Sequence, residues 1–149
     1  MKRPRNGFSL IELLIVVAII LIIAAIAIPN FLRARISANE ASAVSSVHAV
    51  ITAEISYYST QSPSTYTANL SDLGPAVGNY IDSTLAGGSK GGYTFTYAIT
   101  GAPPYDVYKL NADPIVRGVT GQQSFFADQT NVIRYNPTAV ASSSDPPLP

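Results

Sequence analysis

The sequence predicts an α+β fold, with one long amino-terminal helix packing its second half on a small antiparallel β-sheet, and three observations carry that expectation. Apolar residues crowd into one run at residues 8–28, interrupted only by Ser9 and Glu12, too long for a core strand and ahead of a polar remainder. Beyond it, Val44, Val47, Ile51, Ile55 and Tyr58 recur at helical spacing and so fall on one face. Later, residues 93–100 alternate apolar and polar side chains of strand-forming types, residues 105–110 repeat that pattern, and a second pair of short segments follows at 123–127 and 132–135.

The first run, FSLIELLIVVAIILIIAAIAI, is about 31 Å long at the helical rise, close to the hydrocarbon thickness of a bilayer. It therefore reads as a membrane-spanning helix. A cleavable secretory signal has a shorter apolar stretch followed by a small-residue cleavage site, and neither is present. Lys2, Arg3 and Arg5 precede the run and place the amino terminus in the cytoplasm, although Arg33 and Arg35 on the far side oppose this slightly. Within the run stands Glu12. A carboxylate inside a spanning helix costs roughly 2.5–3.5 kcal/mol, so it calls for an opposite charge.

Composition excludes several function classes. Charged residues make up 12% of the chain and cancel formally, so no basic surface calls for nucleic acid as a primary ligand. Three of the nine cations precede Gly7; a chain starting at Phe8 holds six (9 − 3) against nine carboxylates. With no cysteine, disulfides, thiolate metal sites and cysteine nucleophiles are excluded. The sequence contains no Gly-x-Ser-x-Gly, and the glycine-rich stretch 87–92 lacks the Lys-Ser/Thr ending of a phosphate loop. It reads as a flexible loop, and no catalytic residue is assigned. His48, the single histidine, is expected to pack at the edge of the helix's apolar stripe.

Residues 2–14, Lys-Arg-Pro-Arg-Asn-Gly-Phe-Ser-Leu-Ile-Glu-Leu-Leu, resemble the amino-terminal signal of type IV prepilins and type II secretion pseudopilins. The features shared are a short basic leader ending in Gly7, then Phe8, then Glu12 at the fifth position after that glycine, and Pro29 at the twenty-second. The resemblance implies cleavage between Gly7 and Phe8 by a membrane aspartic peptidase, the prepilin peptidase, with N-methylation at Phe8. It further implies assembly of the chain with copies of itself into a helical filament, through the attraction of Glu12 for a neighbour's charged amino terminus. The partners implied are the inner-membrane assembly platform, minor pilins and, before assembly, membrane lipid. The location implied is the bacterial inner membrane, then an extracellular pilus or a periplasmic pseudopilus. A pilus subunit is the favoured function, a secretion pseudopilin the alternative, and a membrane-anchored enzyme or binding module the third. The fold implied is the pilin-like lollipop.

The organisation expected is a leader at 1–7, a spanning and polymerising segment at 8–30, an amphipathic half-helix at 31–60, a head at 61–140 and an unstructured tail at 141–149. Pro29 lacks an amide donor and marks a weak point in the helix; the resemblance makes residues 27–30 a stretch that kinks or unwinds. Opposite the apolar stripe lie small residues, Ala38, Ala41, Ser42, Ser45, Ala49, Thr52 and Ser56, which allow close helix approach. In the head, short helices are expected at 71–73 and 81–86, and strands at 93–100, 105–110, 123–127 and 132–135. Some pseudopilins bind calcium in a late loop; Asp106, Asp113 and Asp128 do not have the spacing of a calcium loop, so no cofactor and no metal ligand is assigned.

Overall fold

The computed structural model describes residues 8–149, and the leader, including Gly7, lies outside it. Helix α1 runs Leu10–Thr60, with α2 at Ser83–Ala86 and strands β1 Ser89–Lys90, β2 Tyr93–Thr100, β3 Val107–Pro114, β4 Ser124–Asp128 and β5 Arg134–Asn136. The chain divides into two units, one ending at Ala34 and the other formed by Arg35–Pro149. In the first unit the helix presents its large apolar side chains to the surroundings on every side, from Leu10 (81% exposed) to Phe31 (67%).

The second unit is an α+β body whose five strands form an antiparallel meander in the order β1 to β5. The register Phe95↔Ala112↔Phe125 and Tyr97↔Leu110↔Ala127 puts these residues on one face of the sheet. That face packs on the second half of α1, whose buried side chains are Ala43, Ser46, Val47, Val50, Ile51, Ala53 and Glu54. Each large apolar side chain so covered contributes roughly 1.5–3 kcal/mol. The stripe is rotated from the expected one: Val47 and Ile51 are buried, but Ile55 is 48% exposed, and the small residues Val50 and Ala53 take the contact instead. His48, expected at the edge of the core, is exposed among Ser45, Ala49 and Thr52 on the small-residue face.

Several boundaries move for identifiable reasons. Strand β3 begins at Val107 because Tyr105 is tied to the preceding loop, its amide donating to Thr65 Oγ1 (2.7 Å) and its carbonyl accepting from Tyr66 (2.9 Å). It continues to Pro114 because every residue pairs with β2, which outweighs the weak strand preference of Asn111 and Asp113. The glycine-rich stretch is not a flexible loop. Gly91 and Gly92, at φ 59° and 80°, form the two-residue turn of the β1–β2 hairpin, a conformation glycine adopts without strain. Helix α2 starts late because Asp82 caps it, accepting from Thr84 N and Leu85 N at 3.1 and 3.0 Å.

The tail, expected to be unstructured, is packed on the sheet. Asn111, Phe126 and Arg134 stand in register on the face turned away from α1. Asn111 Nδ2 donates to the carbonyl of Ala141 and Arg134 Nη1 to that of Asp145, at 2.7 and 2.8 Å. Phe126 and Ala141 are both buried, and Leu148 N donates to Ile133 O at 2.8 Å. The covering strip thus closes a second, smaller apolar layer without any cross-link.

One polar side chain sits inside the main core. Glu54 is fully buried and accepts from Thr67 Oγ1 (2.5 Å) and Thr67 N (3.2 Å), while Tyr97 OH donates to Thr67 O (3.0 Å). Around it, the ring of Tyr108 stacks on Tyr97 with centroids 5.8 Å apart and meets Tyr66 edge-on at 4.8 Å. Burial, opposed by the hydrogen bonds from Thr67 and Tyr97, holds the Glu54 carboxyl above the ordinary carboxylate range. Burial first, and the charge of Glu54 second, push the Tyr97 and Tyr108 phenols above theirs. The folded chain therefore binds the Glu54 proton more tightly than the unfolded chain. Its stabilising contribution is complete below pH 4.5, the unfolded value, and is lost as pH rises through the higher folded value. Denaturant unfolding of the wild type is expected to show stability falling as pH rises above 4.5, and Glu54→Gln to flatten that slope. An unchanged slope in the variant would assign the pH dependence to other groups.

Candidate functional site

The amino-terminal end of α1 brings together the residues on which the sequence places processing and assembly. Phe8 is 78% exposed and stands just before the helix. Glu12 lies in the first turn, where its negative charge is favoured by the unpaired amides and the helix dipole. Its Oε2 accepts from the backbone N–H of Ser9 at 2.9 Å, and Leu13 N donates to Ser9 O at 3.2 Å. Glu12 is thus already engaged within its own chain. Ser9 is the helix N-cap and Glu12 the third helical residue, so the carboxylate makes the return half of a capping box.

Sequence reasoning missed Ser9 as that partner, although the signal is present: Ser9-Leu10-Ile11-Glu12 is the Ser-x-x-Glu pattern that opens a helix. Glu12 reads both as a capping side chain and as a charge within an apolar surface. Cleavage before Phe8 would create an ammonium group one residue from the amide that Glu12 already holds. The carboxylate has acceptor sites on both oxygens, so Oε2 can keep Ser9 while Oε1 meets a cation.

Pro29 lies inside α1 and does not end it. It cannot donate to the carbonyl of Ala25, four residues back. One residue on, Asn30 Nδ2 donates to Ile26 O at 3.0 Å and supplies a side-chain bond beside the defect. Asn30, a second residue not singled out from the sequence, makes this bond to Ile26 O and leaves the Ala25 carbonyl freed by Pro29 without its regular donor.

Elsewhere, Asp128 accepts from Thr130 N and Oγ1 and shapes the β4–β5 turn. Asp106 is exposed on the approach to β3, and Asp113 lies in β3. Among the described residues, no group of three His, Asp or Glu side chains converges on a metal-sized site. One described helix, α1, is long and apolar enough to cross a membrane.

Comparison with known proteins agrees with the geometry of this end. The model of the prokaryotic N-terminal methylation motif matches residues 2–28. The chain is 46% identical over 89 residues to the type IV major pilin protein PilA of Myxococcus xanthus, covering 57% of this chain and 40% of that protein. It is 63% identical over 38 residues to the type IV wide pilus major component PilA4 of Thermus thermophilus, covering 26% of this chain and 29% of that protein. The chain thus spans less than half the length of either relative. No solved structure matches it. The chain carries the prokaryotic N-terminal methylation motif and has type IV major pilins as its relatives.

Proposed function

We propose that this chain is a structural subunit of a type IV pilus, anchored in the inner membrane by residues 8–28 and acting by assembly, with no catalysis of its own. The observation that carries this reading is the coincidence, in one stretch, of the methylation motif, a helix of spanning length with apolar side chains outward on all sides, and Glu12 in its first turn. The two relatives, both described as major components of type IV pili, support the pilus over the secretion pseudopilus.

In this reading, prepilin peptidase cuts between Gly7 and Phe8 and methylates the new amine. Methylation keeps the positive charge on that amine. The cut removes Lys2, Arg3 and Arg5 and turns an amide into a cation at the edge of an apolar surface. Away from water, that cation and the Glu12 carboxylate of a neighbouring copy are each costly alone and gain by meeting. The apolar faces of the helices then cover one another in place of lipid. Asn30 and Pro29 give the helix a turn in which one regular hydrogen bond is missing and a side-chain bond stands beside it, a place where it can yield on assembly.

Electron microscopy of sheared surface fibres, with identification of their subunit, tests the reading; fibres lacking this chain would sink it. Glu12→Ala is expected to leave insertion and cleavage intact and to abolish or strongly reduce fibre yield. Glu12→Gln separates two roles of that side chain, because the amide oxygen can still accept from Ser9 N while the charge is gone. It is expected to lose fibres as well, and normal fibre yield would show that capping, not charge, is what matters. Gly7→Phe is expected to block cleavage and leave the precursor in the membrane; amino-terminal sequencing that still begins at Phe8 would contradict the assigned cut.

A further inference from the structure

Within the second unit, the loop that follows α1 and the turn that precedes β3 meet in a groove of about 550 Å³. Tyr57 from α1, Tyr66 from the loop and Tyr105 from the turn line it, all half-buried, together with Pro63, Pro104 and the side chain of Asp72. The walls are fixed in advance. Tyr66 N donates to Tyr105 O at 2.9 Å and Tyr105 N to Thr65 Oγ1 at 2.7 Å, so loop and turn hold each other. The Tyr66 ring lies against that of Tyr58, centroids 4.7 Å apart, and meets Tyr108 edge-on at 4.8 Å. The Tyr57 ring stands nearly perpendicular to that of Tyr80 at 6.3 Å. Pro63 and Pro104 have φ set by their own rings. Aromatic surface held in this way loses little freedom when it takes a ligand.

The charge in this groove has one sign. None of the described residues lining it is a cation, and Asp72 is the single carboxylate among them. Burial first, then Tyr58, Glu54 and Asp106, push the Tyr66 phenol above its ordinary range, so the groups acting on that ring are acidic. Charge complementarity therefore calls for a cation. Asp72 Oδ2 already accepts from Asn69 N at 2.9 Å and from Asn69 Nδ2 at 3.2 Å. Its charge is available to a ligand, but part of its hydrogen-bonding capacity is used at the start of the short helical turn Leu70–Leu73. A lysine-type ammonium is strongly hydrated and needs hydrogen bonds in exchange for its water. A quaternary ammonium donates none, and aromatic faces with a nearby negative charge suffice to hold it.

We propose that this groove binds a quaternary ammonium group of the choline type, seated among Tyr57, Tyr66 and Tyr105 and drawn in by Asp72. The methyl groups of the cation cover tyrosine and proline surface, while its charge meets the carboxylate and the negative faces of the rings. The same chemical group occurs in free choline and in phosphocholine, the headgroup of a lipid.

The full-length chain is held in dodecyl maltoside micelles, which carry no ammonium group, and saturation transfer from the protein to the methyl protons of choline is titrated. Choline is expected to bind about tenfold more tightly than dimethylbutanol, the isostere in which a tert-butyl group replaces trimethylammonium. Asp72→Asn keeps an oxygen for Asn69 and removes the charge; it is expected to weaken choline several-fold and leave the isostere unchanged. Tyr105→Leu keeps apolar bulk and the backbone bonds to Thr65 and Tyr66, and is expected to weaken choline as well. Phosphocholine bound as tightly as choline supports the site with a headgroup as source, and its exclusion supports the site with the free cation as source. Equal binding of choline and the isostere to the wild type shows a groove that reads apolar shape alone and overturns the proposal, as does choline binding unchanged in both variants. Thermal melting identifies a variant that fails to fold, and the comparison on the wild type then decides without it.

Discussion

Along the first half of α1, large apolar side chains point outward in all directions, and none of them is buried by the rest of the chain. A surface of that kind is costly in water and favours apolar surroundings. The rest of the molecule follows from this constraint. Polar groups inside the apolar segment need partners, and the second unit needs a core that does not draw on the apolar residues of the first. The second unit meets the latter need with its own stripe on α1 and one face of the meander.

Two glutamates on the same helix show how position decides what a carboxylate does. Glu12 stands in the first turn, where the exposed amides favour negative charge, and it accepts from Ser9. Glu54 stands in the interior, where no cation faces it among its hydrogen-bond partners, and Thr67 and its tyrosine neighbours hold it while burial favours the protonated form. The first closes the opening turn of the helix. The second fixes the loop after α1 to the helix and to β2, through a network that leaves Tyr108 OH buried without a partner.

Without cysteine, the second unit closes itself by pairing and hydrogen bonds. The strip from Ala141 to Leu148 is held by the side chains of Asn111 and Arg134 and by backbone bonds to Ile133 and Tyr135. Near the other end of the sheet, the Lys90–Asp82 ion pair at 2.7 Å ties the first hairpin to the cap of α2. Both side chains of that pair are substantially solvent-exposed, so it positions the hairpin more than it stabilises the fold.

What the sequence determined by itself were the features with strong periodic or local chemical signals. The apolar run, the spacing from Gly7 to Phe8 to Glu12, the alternation of β2 and the helical repeat through Val47 and Ile51 are all legible one residue at a time. Ser9 is legible too, as the opening of a capping box with Glu12. Tertiary structure decided the rest. The rotation of the buried stripe toward Val50 and away from Ile55 depends on where the sheet lies, which no periodicity specifies. Helical spacing did put Glu54 in line with Val47, Val50 and Ile51, yet a charged residue is assigned to the interior only once Thr67 and Tyr97 are seen to meet it. The tail, rich in serine and proline, carries no pattern of its own. It is ordered because Phe126 leaves an apolar surface on the far side of the sheet, and covering that surface offsets the entropy of holding the strip in place.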